Sequence, residues 1–255
     1  MNIATWNVNS LRVRLPQLLQ WLAANPVDVI ALQETKLTDE DFPRAELEAA
    51  GWHLAYRGQK TYNGVAILSR QPLTDVVCEL PGEPDPQRRL LAATVAGVRI
   101  VDVYVPNGQS VDSDKYVYKL GWLAGLHAFL QNQIQQWPGL VLLGDFNVAP
   151  TDADVHDPAA WQGSVLVSEP ERAALRAIEA LGLADLYRRF TQPPQSFSWW
   201  DYRQAGYRRN HGLRIDLILG TPPLQQRCTG CRIDREPRAW ERPSDHAPCV
   251  ASFDI

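Results

Sequence analysis

The sequence predicts a chain of the α/β (α+β) class, with two packed, mixed β-sheets and helices on the outside. Three observations carry this. Short apolar runs alternate with stretches of helical spacing along the whole length. The runs 90–95 and 98–105 are separated only by Ala96-Gly97, a hairpin signal, so part of the sheet is antiparallel. No Ser/Gly-rich or low-complexity tract interrupts the 255 residues, which read as one domain, 1–255.

The elements follow in chain order. Ile3-Ala4-Thr5-Trp6 opens as a strand. Leu11, Leu15, Leu18, Leu19 and Leu22 lie at helical spacing; Pro16 suits only a first turn, which predicts a helix starting near Leu15. Residues 27–32, 64–68, 90–95, 98–105, 140–143, 215–219 and 249–253 read as strands. Between them, Tyr116, Leu120, Leu123, His127, Leu130, Ile134 and Trp137 form a long helical stripe suited to packing on a sheet, and 169–183 is a further helix. Pro-rich stretches at 81–86, 193–194 and 222–223 are turns.

Composition narrows the class. Lys plus Arg is 25 and Asp plus Glu is 29, a net charge of −4, which argues against bulk positive attraction to nucleic acid. The average hides an asymmetry. Residues 188–242 contain eleven arginines, no lysine and five acidic residues, a net +6, while the remainder is at −10. Arginine favours bidentate contact with phosphate or carboxylate; a solvated, salt-bridged face is the alternative. No apolar stretch reaches the ~20 residues of a membrane span. The first residues do not resemble a signal peptide. Cys228-Thr-Gly-Cys231 is a lone CxxC whose nearest histidines, His211 and His246, fit no zinc spacing. Reduced thiols in a cytoplasmic protein with no membrane partner are expected.

The informative pattern is what ends the strands. The first leads to Asn7, the second to Gln33-Glu34-Thr35, the run 98–105 to Tyr104 and Asn107, and 140–143 to Asp145-Phe146-Asn147. Asp216 stands inside an apolar strand, and Ser244-Asp245-His246 precedes the last one. Strand ends in α/β sheets converge, so these sites can meet in one crevice. Taken singly, Asp-Phe-Asn is a turn signal and Glu34 a surface charge. Asp216 needs a partner if buried, and His246 is a natural one. Four carboxylates, an imidazole and amides suit Mg²⁺ or Mn²⁺. There is no GxGxxG, no GxxxxGK[ST] and no GxSxG, which leaves metal-assisted attack of water on phosphorus.

These stretches resemble the exonuclease III family of apurinic/apyrimidinic endonucleases, within the wider endonuclease/exonuclease/phosphatase superfamily. The motifs are Ala4-Thr5-Trp6-Asn7-Val8-Asn9-Ser10-Leu11, Leu32-Gln33-Glu34-Thr35-Lys36, Tyr104-Val105-Pro106-Asn107-Gly108, Gly144-Asp145-Phe146-Asn147, Leu213-Arg214-Ile215-Asp216 and Ser244-Asp245-His246. Lys115-Tyr116-Val117-Tyr118-Lys119-Leu120, followed by Trp122, is typical of the exonuclease III branch. The resemblance spans the whole chain.

It implies a four-layer αββα sandwich and hydrolysis of DNA 5′ to abasic sites, with 3′-5′ exonuclease and 3′-end-cleaning activity. Tyr104, Asp145, Asn147, Asp216 and His246 would be catalytic. Glu34 would be the main metal ligand, supported by Asn7 and Asp245, with Asp145, Asn147 and His246 completing the set. Whether Asp145 or His246 acts as base stays open. Asn107, Arg203, Arg208, Arg209 and Arg214 would meet DNA phosphates, and Trp199, Leu213 and Ile215 would form a pocket for the bare sugar. The partner would be double-stranded DNA with an abasic site or a 3′ end, and the protein a monomer. The stretch 151–161 departs from a strict match and either lines the DNA groove or forms a surface loop. Phosphatases, sphingomyelinases and nonspecific deoxyribonucleases share part of the pattern, but the Lys115 to Trp122 motif and the Trp199 segment argue against them. A non-catalytic, RNA-associated regulator on the same fold would be expected to lack some of the site residues that are present.

Overall fold

The computed structural model describes residues 1–81 and 87–255, so most of the predicted turn at 81–86 lies outside the described residues. The chain runs β1 (Asn2–Asn7), α1 (Leu11–Ala24), β2 (Val29–Gln33), α2 (Arg44–Ala49), β3 (His53–Arg57), β4 (Val65–Ser69), β5 (Leu73–Val77), β6 (Leu90–Val95), β7 (Val98–Tyr104), α3 (Asp114–Gln136) and β8 (Leu140–Asp145). It continues through α4 (Pro158–Trp161), α5 (Glu169–Glu179), β9 (Ala184–Asp185), β10 (Trp199–Trp200), α6 (Gly206–Arg209), β11 (Gly212–Leu213), β12 (Asp216–Gly220), α7 (Pro222–Arg227), β13 (Cys228–Ile233) and β14 (Cys249–Phe253). No helix among the described residues is long and apolar enough to cross a membrane.

Two six-stranded sheets form, ordered β13-β14-β1-β2-β4-β3 and β5-β6-β7-β8-β12-β9. Period-two alternation along their strands builds three apolar layers. Ile3, Val29, Ala31 and Ile67 face Leu91, Ala93, Ile100, Val141 and Ile218 between the sheets. On one outer face Ala4, Trp6, Ile30 and Leu32 pack against Leu18, Trp21 and Leu22 of α1. On the other, Val101, Val103 and Leu142 pack against Leu123, Leu126 and Leu130 of α3 and Ile178 of α5. The predicted four-layer αββα sandwich is therefore observed.

Each sheet contains a central parallel pair, β1 with β2 and β7 with β8, joined through α1 and α3 respectively. The Ala96-Gly97 turn has φ of 47° and 82°, and Val95 pairs with Val98, as a two-residue hairpin requires.

The first helix differs from expectation. It begins at Leu11 and keeps Pro16 inside it. Tertiary contacts set its first turn: Ser10 N–H and Leu11 N–H donate to the Glu34 and Thr35 carbonyls at 2.8 and 3.0 Å, and Leu11 is buried under the sheet. A start fixed from outside the helix overrides the local preference of proline.

Candidate active site

The parallel pairs bring four strand ends to one rim. Asn7 ends β1, Glu34 follows β2, and Tyr104 and Asp145 end β7 and β8. Strand β12 runs antiparallel to β8 with Asp216 opposite Asp145, so its first residue meets the same rim. His246 lies just ahead of β14, which pairs with β1, and is held there by a bridge to Trp199. Gly144, just before Asp145, has φ of 139°, and a Cβ there would lie 2.0 Å from the Val103 carbonyl oxygen. Only glycine permits β8 to pass so close to β7 at that point.

The backbone at the rim is strained. Asn9, Glu34, Lys36 and Asn147 have φ of 44°, 52°, 56° and 48°. Left-handed non-glycine residues persist where the surroundings over-determine them. Here Glu34 O accepts from Ser10, while Thr35 N–H and Lys36 N–H donate to Gly64 O and Asn63 O at 3.2 and 2.9 Å.

Glu34, Asp145 and His246 place ligand atoms within 4.8 Å of one another, a group able to hold a metal ion. Asn7 ties the two carboxylates together, its Nδ2 donating to Glu34 Oε1 and Asp145 Oδ2 at 2.9 Å each. Lys36 Nζ sits 2.9 Å from Glu34 Oε2. Burial opposes ionisation of Glu34, but the Lys36 ammonium and the Asn7 amide outweigh it and hold the carboxyl below its ordinary range. Asp145 behaves oppositely. Its burial, with Asp216 and Glu34 nearby, raises it to about 7 despite the opposing pull of His246.

His246 Nδ1 lies 2.9 Å from Asp216 Oδ2, and its Nε2 lies 3.8 Å from Asp145 Oδ2. Burial disfavours the imidazolium, yet the Asp216 and Asp145 carboxylates prevail and push the ring up to about 10. Ser198 Oγ donates to Asp216 at 2.6 Å and accepts from the Asp216 and Ile215 N–H groups at 3.0 and 3.1 Å, which fixes the carboxylate behind the ring. Tyr104 is pushed well above its usual range, first by burial and then by Glu34 and Asp145. Asn107 Nδ2 donates to Asn147 Oδ1 at 3.0 Å.

The other predicted metal ligands make hydrogen bonds around the rim. Asn7 turns its amide nitrogen to the carboxylates while its Oδ1 accepts from Asn9 N–H at 3.0 Å, so it links Glu34 to Asp145. Asn147 gives its oxygen to Asn107 and its nitrogen to Val105 O. Asp245 lies apart from the Glu34, Asp145 and His246 trio, and its two oxygens accept from Asn9 Nδ2 at 2.9 Å and Trp199 Nε1 at 3.0 Å.

Arg214 is the clearest correction. It is 1% exposed, bonded to Asp154 at 2.7 Å and to Asp185 at 2.6 Å, and so cannot reach a DNA phosphate. Other arginines of the basic stretch are also engaged internally. Arg235 and Arg238 stack on Trp200 and Tyr207. Arg208 and Arg209 are exposed beside β11 and make no ion pair among the described residues. Arg203 is 86% exposed and paired with Asp201.

Trp199, Leu213 and Ile215 do pack together, with Val155 closing the cluster. Leu213 and Ile215 are covered completely, so they form a floor and not an open pocket. The open hollow beside them, about 390 Å³, is walled by Trp199, Trp161, His156, His211, Asp201 and Arg203. His156 and His211 stack with centroids 4.7 Å apart. The 151–161 stretch thus brings His156 and Trp161 to this hollow, where His156 meets His211, 55 residues away in sequence. The four cysteines are free, Cys228 and Cys231 on edge strand β13. Asn9, Lys36 and Ser198 were missed as site residues; the first two lie in the quoted motifs, whereas nothing local marks Ser198.

The sequence profile of the Endonuclease/Exonuclease/phosphatase family matches residues 4–246. The chain belongs to this family. It is 34% identical to the exodeoxyribonuclease III of Haemophilus influenzae over 99% of this chain and 100% of that one. Among solved structures, it is similar to the 3′ phosphatase NExo from Neisseria bound to a product DNA hairpin, at 49% identity and TM-score 0.98, with both chains fully covered. It is also similar to an AP endonuclease from Archaeoglobus fulgidus, at 41% identity and TM-score 0.96, again over both whole chains. The family member described here is a hydrolytic DNA repair nuclease with 3′-end activity.

Proposed function

We propose that this nuclease uses water to break the P–O3′ bond of DNA in three settings: at a blocked 3′ terminus, at the last nucleotide of a 3′ end, and 5′ to an abasic site. All three leave a 3′-hydroxyl, so one constellation serves them. The observation that carries the reading is the meeting of Glu34, Asp145 and His246 within 4.8 Å at the strand-end rim.

The donor set fits a hard divalent cation: Glu34 and Asp145 offer carboxylate oxygens, and the Lys36 contact keeps Glu34 ionised. Mg²⁺ or Mn²⁺ bound there would supply Lewis acidity toward the phosphate. Asp145, raised to about 7, is poised to take a proton from water near neutral pH. His246, kept cationic by Asp216, would face the phosphate oxygens, and Tyr104, kept protonated, would donate to them. The Asn107–Asn147 pair would hold the phosphate from the β7–β8 side. Arg203, Arg208 and Arg209 would anchor the flanking backbone without reading sequence. One chain supplies every one of these residues, which suits a monomer, and four free thiols suit the cytoplasm.

The test uses three duplexes, carrying a 3′-phosphate, a recessed 3′-hydroxyl and a synthetic abasic analogue, each with Mg²⁺ and with EDTA. Metal-dependent cleavage of all three is expected, giving a new polymerase-extendable 3′-hydroxyl from the 3′-phosphate and abasic duplexes and free 5′-mononucleotides from the recessed end. No metal-dependent cleavage of any duplex would sink the reading.

A further inference from the structure

The Lys115 to Trp122 motif lies behind the strand-end rim, yet one of its side chains reaches it. Lys119 lies on α3 and is completely buried. Its ammonium has three N–H donors, and all three are used. One goes to the Asn107 carbonyl at 3.1 Å, one to the Asn147 carbonyl at 2.6 Å and one to Glu171 Oε1. These two carbonyls belong to the segments that follow β7 and β8, and the side chains of the same two asparagines bond each other at 3.0 Å. Asn147 is left-handed, with φ of 48°. A single charge behind the rim therefore holds both halves of the amide pair, one of them in a strained conformation.

Glu171 is equally committed. Its oxygens accept from Leu166 N–H at 3.0 Å and Ser168 N–H at 3.1 Å, and from the Ser168 hydroxyl, which in turn meets Tyr116 OH at 2.5 Å. Burial works against the ammonium and holds its pKa below the ordinary lysine value, with Glu171 offsetting part of that effect. A buried cation with no free donor is not placed for contact with DNA; every one of its bonds is spent on orientation.

We infer that Lys119, anchored by Glu171, is a positioning residue that sets the spacing of Asn107 and Asn147 and thereby the geometry in which the phosphate is attacked. This rests on the hydrolytic reading above. Its effect falls on the chemical step, because a misplacement near 1 Å at a reacting centre can cost up to about a hundredfold in rate.

The experiment is single-turnover cleavage of the 3′-phosphate duplex, with enzyme in excess, alongside melting temperature and DNA affinity. Lys119→Met alone leaves Glu171 buried and unpaired and threatens folding, so it is combined with Glu171→Gln; Lys119→Arg preserves charge and donors. The double variant is expected to melt cooperatively and to reach full cleavage amplitude. Its rate constant should fall by about tenfold or more with DNA affinity within about twofold of wild type, and Lys119→Arg should recover part of the rate. A merely structural role would lower amplitude and melting temperature and leave the rate constant of the folded fraction at the wild-type value, which would overturn the inference. Failure of the hydrolytic reading is distinguishable, since wild-type protein itself would then leave the duplex intact, and the inference would fall with it.

Discussion

His246 presents Nδ1 to Asp216 at 2.9 Å, in a pair that is almost completely buried. The carboxylate both fixes the ring orientation and stabilises its charge, so it acts on chemistry through the imidazole. Asp216→Asn keeps the shape but removes the negative charge. The single-turnover rate should fall by roughly 10²–10⁴-fold, with melting temperature little changed. A wild-type rate in this variant would remove His246 from the reaction.

The exposed arginines should govern salt dependence. Replacing Arg203, Arg208 and Arg209 together by Gln should flatten the plot of log affinity against log salt by up to about 2–3 units, near 0.9 per lost phosphate contact. Fluorescence anisotropy with labelled duplex from low to moderate salt measures this. An unchanged slope would show that the DNA backbone is held elsewhere.

Arg214 should behave in the opposite way. Arg214→Met breaks a buried network with Asp154 and Asp185 and should cost about 3–5 kcal/mol, with the salt slope unaltered. The pH dependence has a defined sign. Burial alone would raise Asp154, but Arg214 and Arg188 outweigh it and hold its carboxyl below the ordinary value. Its contribution is therefore present above the ordinary carboxylate range and lost as pH falls through the depressed value. Denaturant titrations from pH 7 down to pH 3 should show the gap between wild type and Arg214→Met narrowing.

Asp102 gives the reverse sign. It lies between the sheets, completely buried, where Gln33 Nε2 donates to its Oδ1 at 2.7 Å; its Oδ2 has no partner among the described residues. Burial pushes its pKa well above the usual range despite the Gln33 bond. The folded protein thus binds a proton that the unfolded chain releases, and stability declines as pH rises through that window, by at most about 1.4 kcal/mol per pH unit. Asp102→Asn keeps the accepting oxygen and should be more stable than wild type at pH 8, with the difference shrinking toward pH 4. A constant offset across that range would reject a protonated Asp102.

The strands legible in the sequence are the eight interior ones. Strands β1, β2, β4, β6, β7, β8, β12 and β14 are bounded on both sides by neighbours and read as near-continuous apolar runs. The unread strands of the two large sheets, β3, β5, β9 and β13, are their edges. Strand β5 buries none of its residues, so its apolar pattern is diluted by the solvent that covers it.

The sequence by itself determined the layered class, the hairpin at Ala96-Gly97 and the polar residues that end the strands. Each of these is a local property, either the periodicity of one segment or the residue that follows it. Only the tertiary structure decided what those side chains touch. It drew Arg214 inward to Asp154, 60 residues away, closed Leu213 and Ile215 beneath Trp199, and gave all of Lys119's donors to Asn107, Asn147 and Glu171. A buried charge must find a partner, but the identity of that partner depends on which elements the sheets bring together in space.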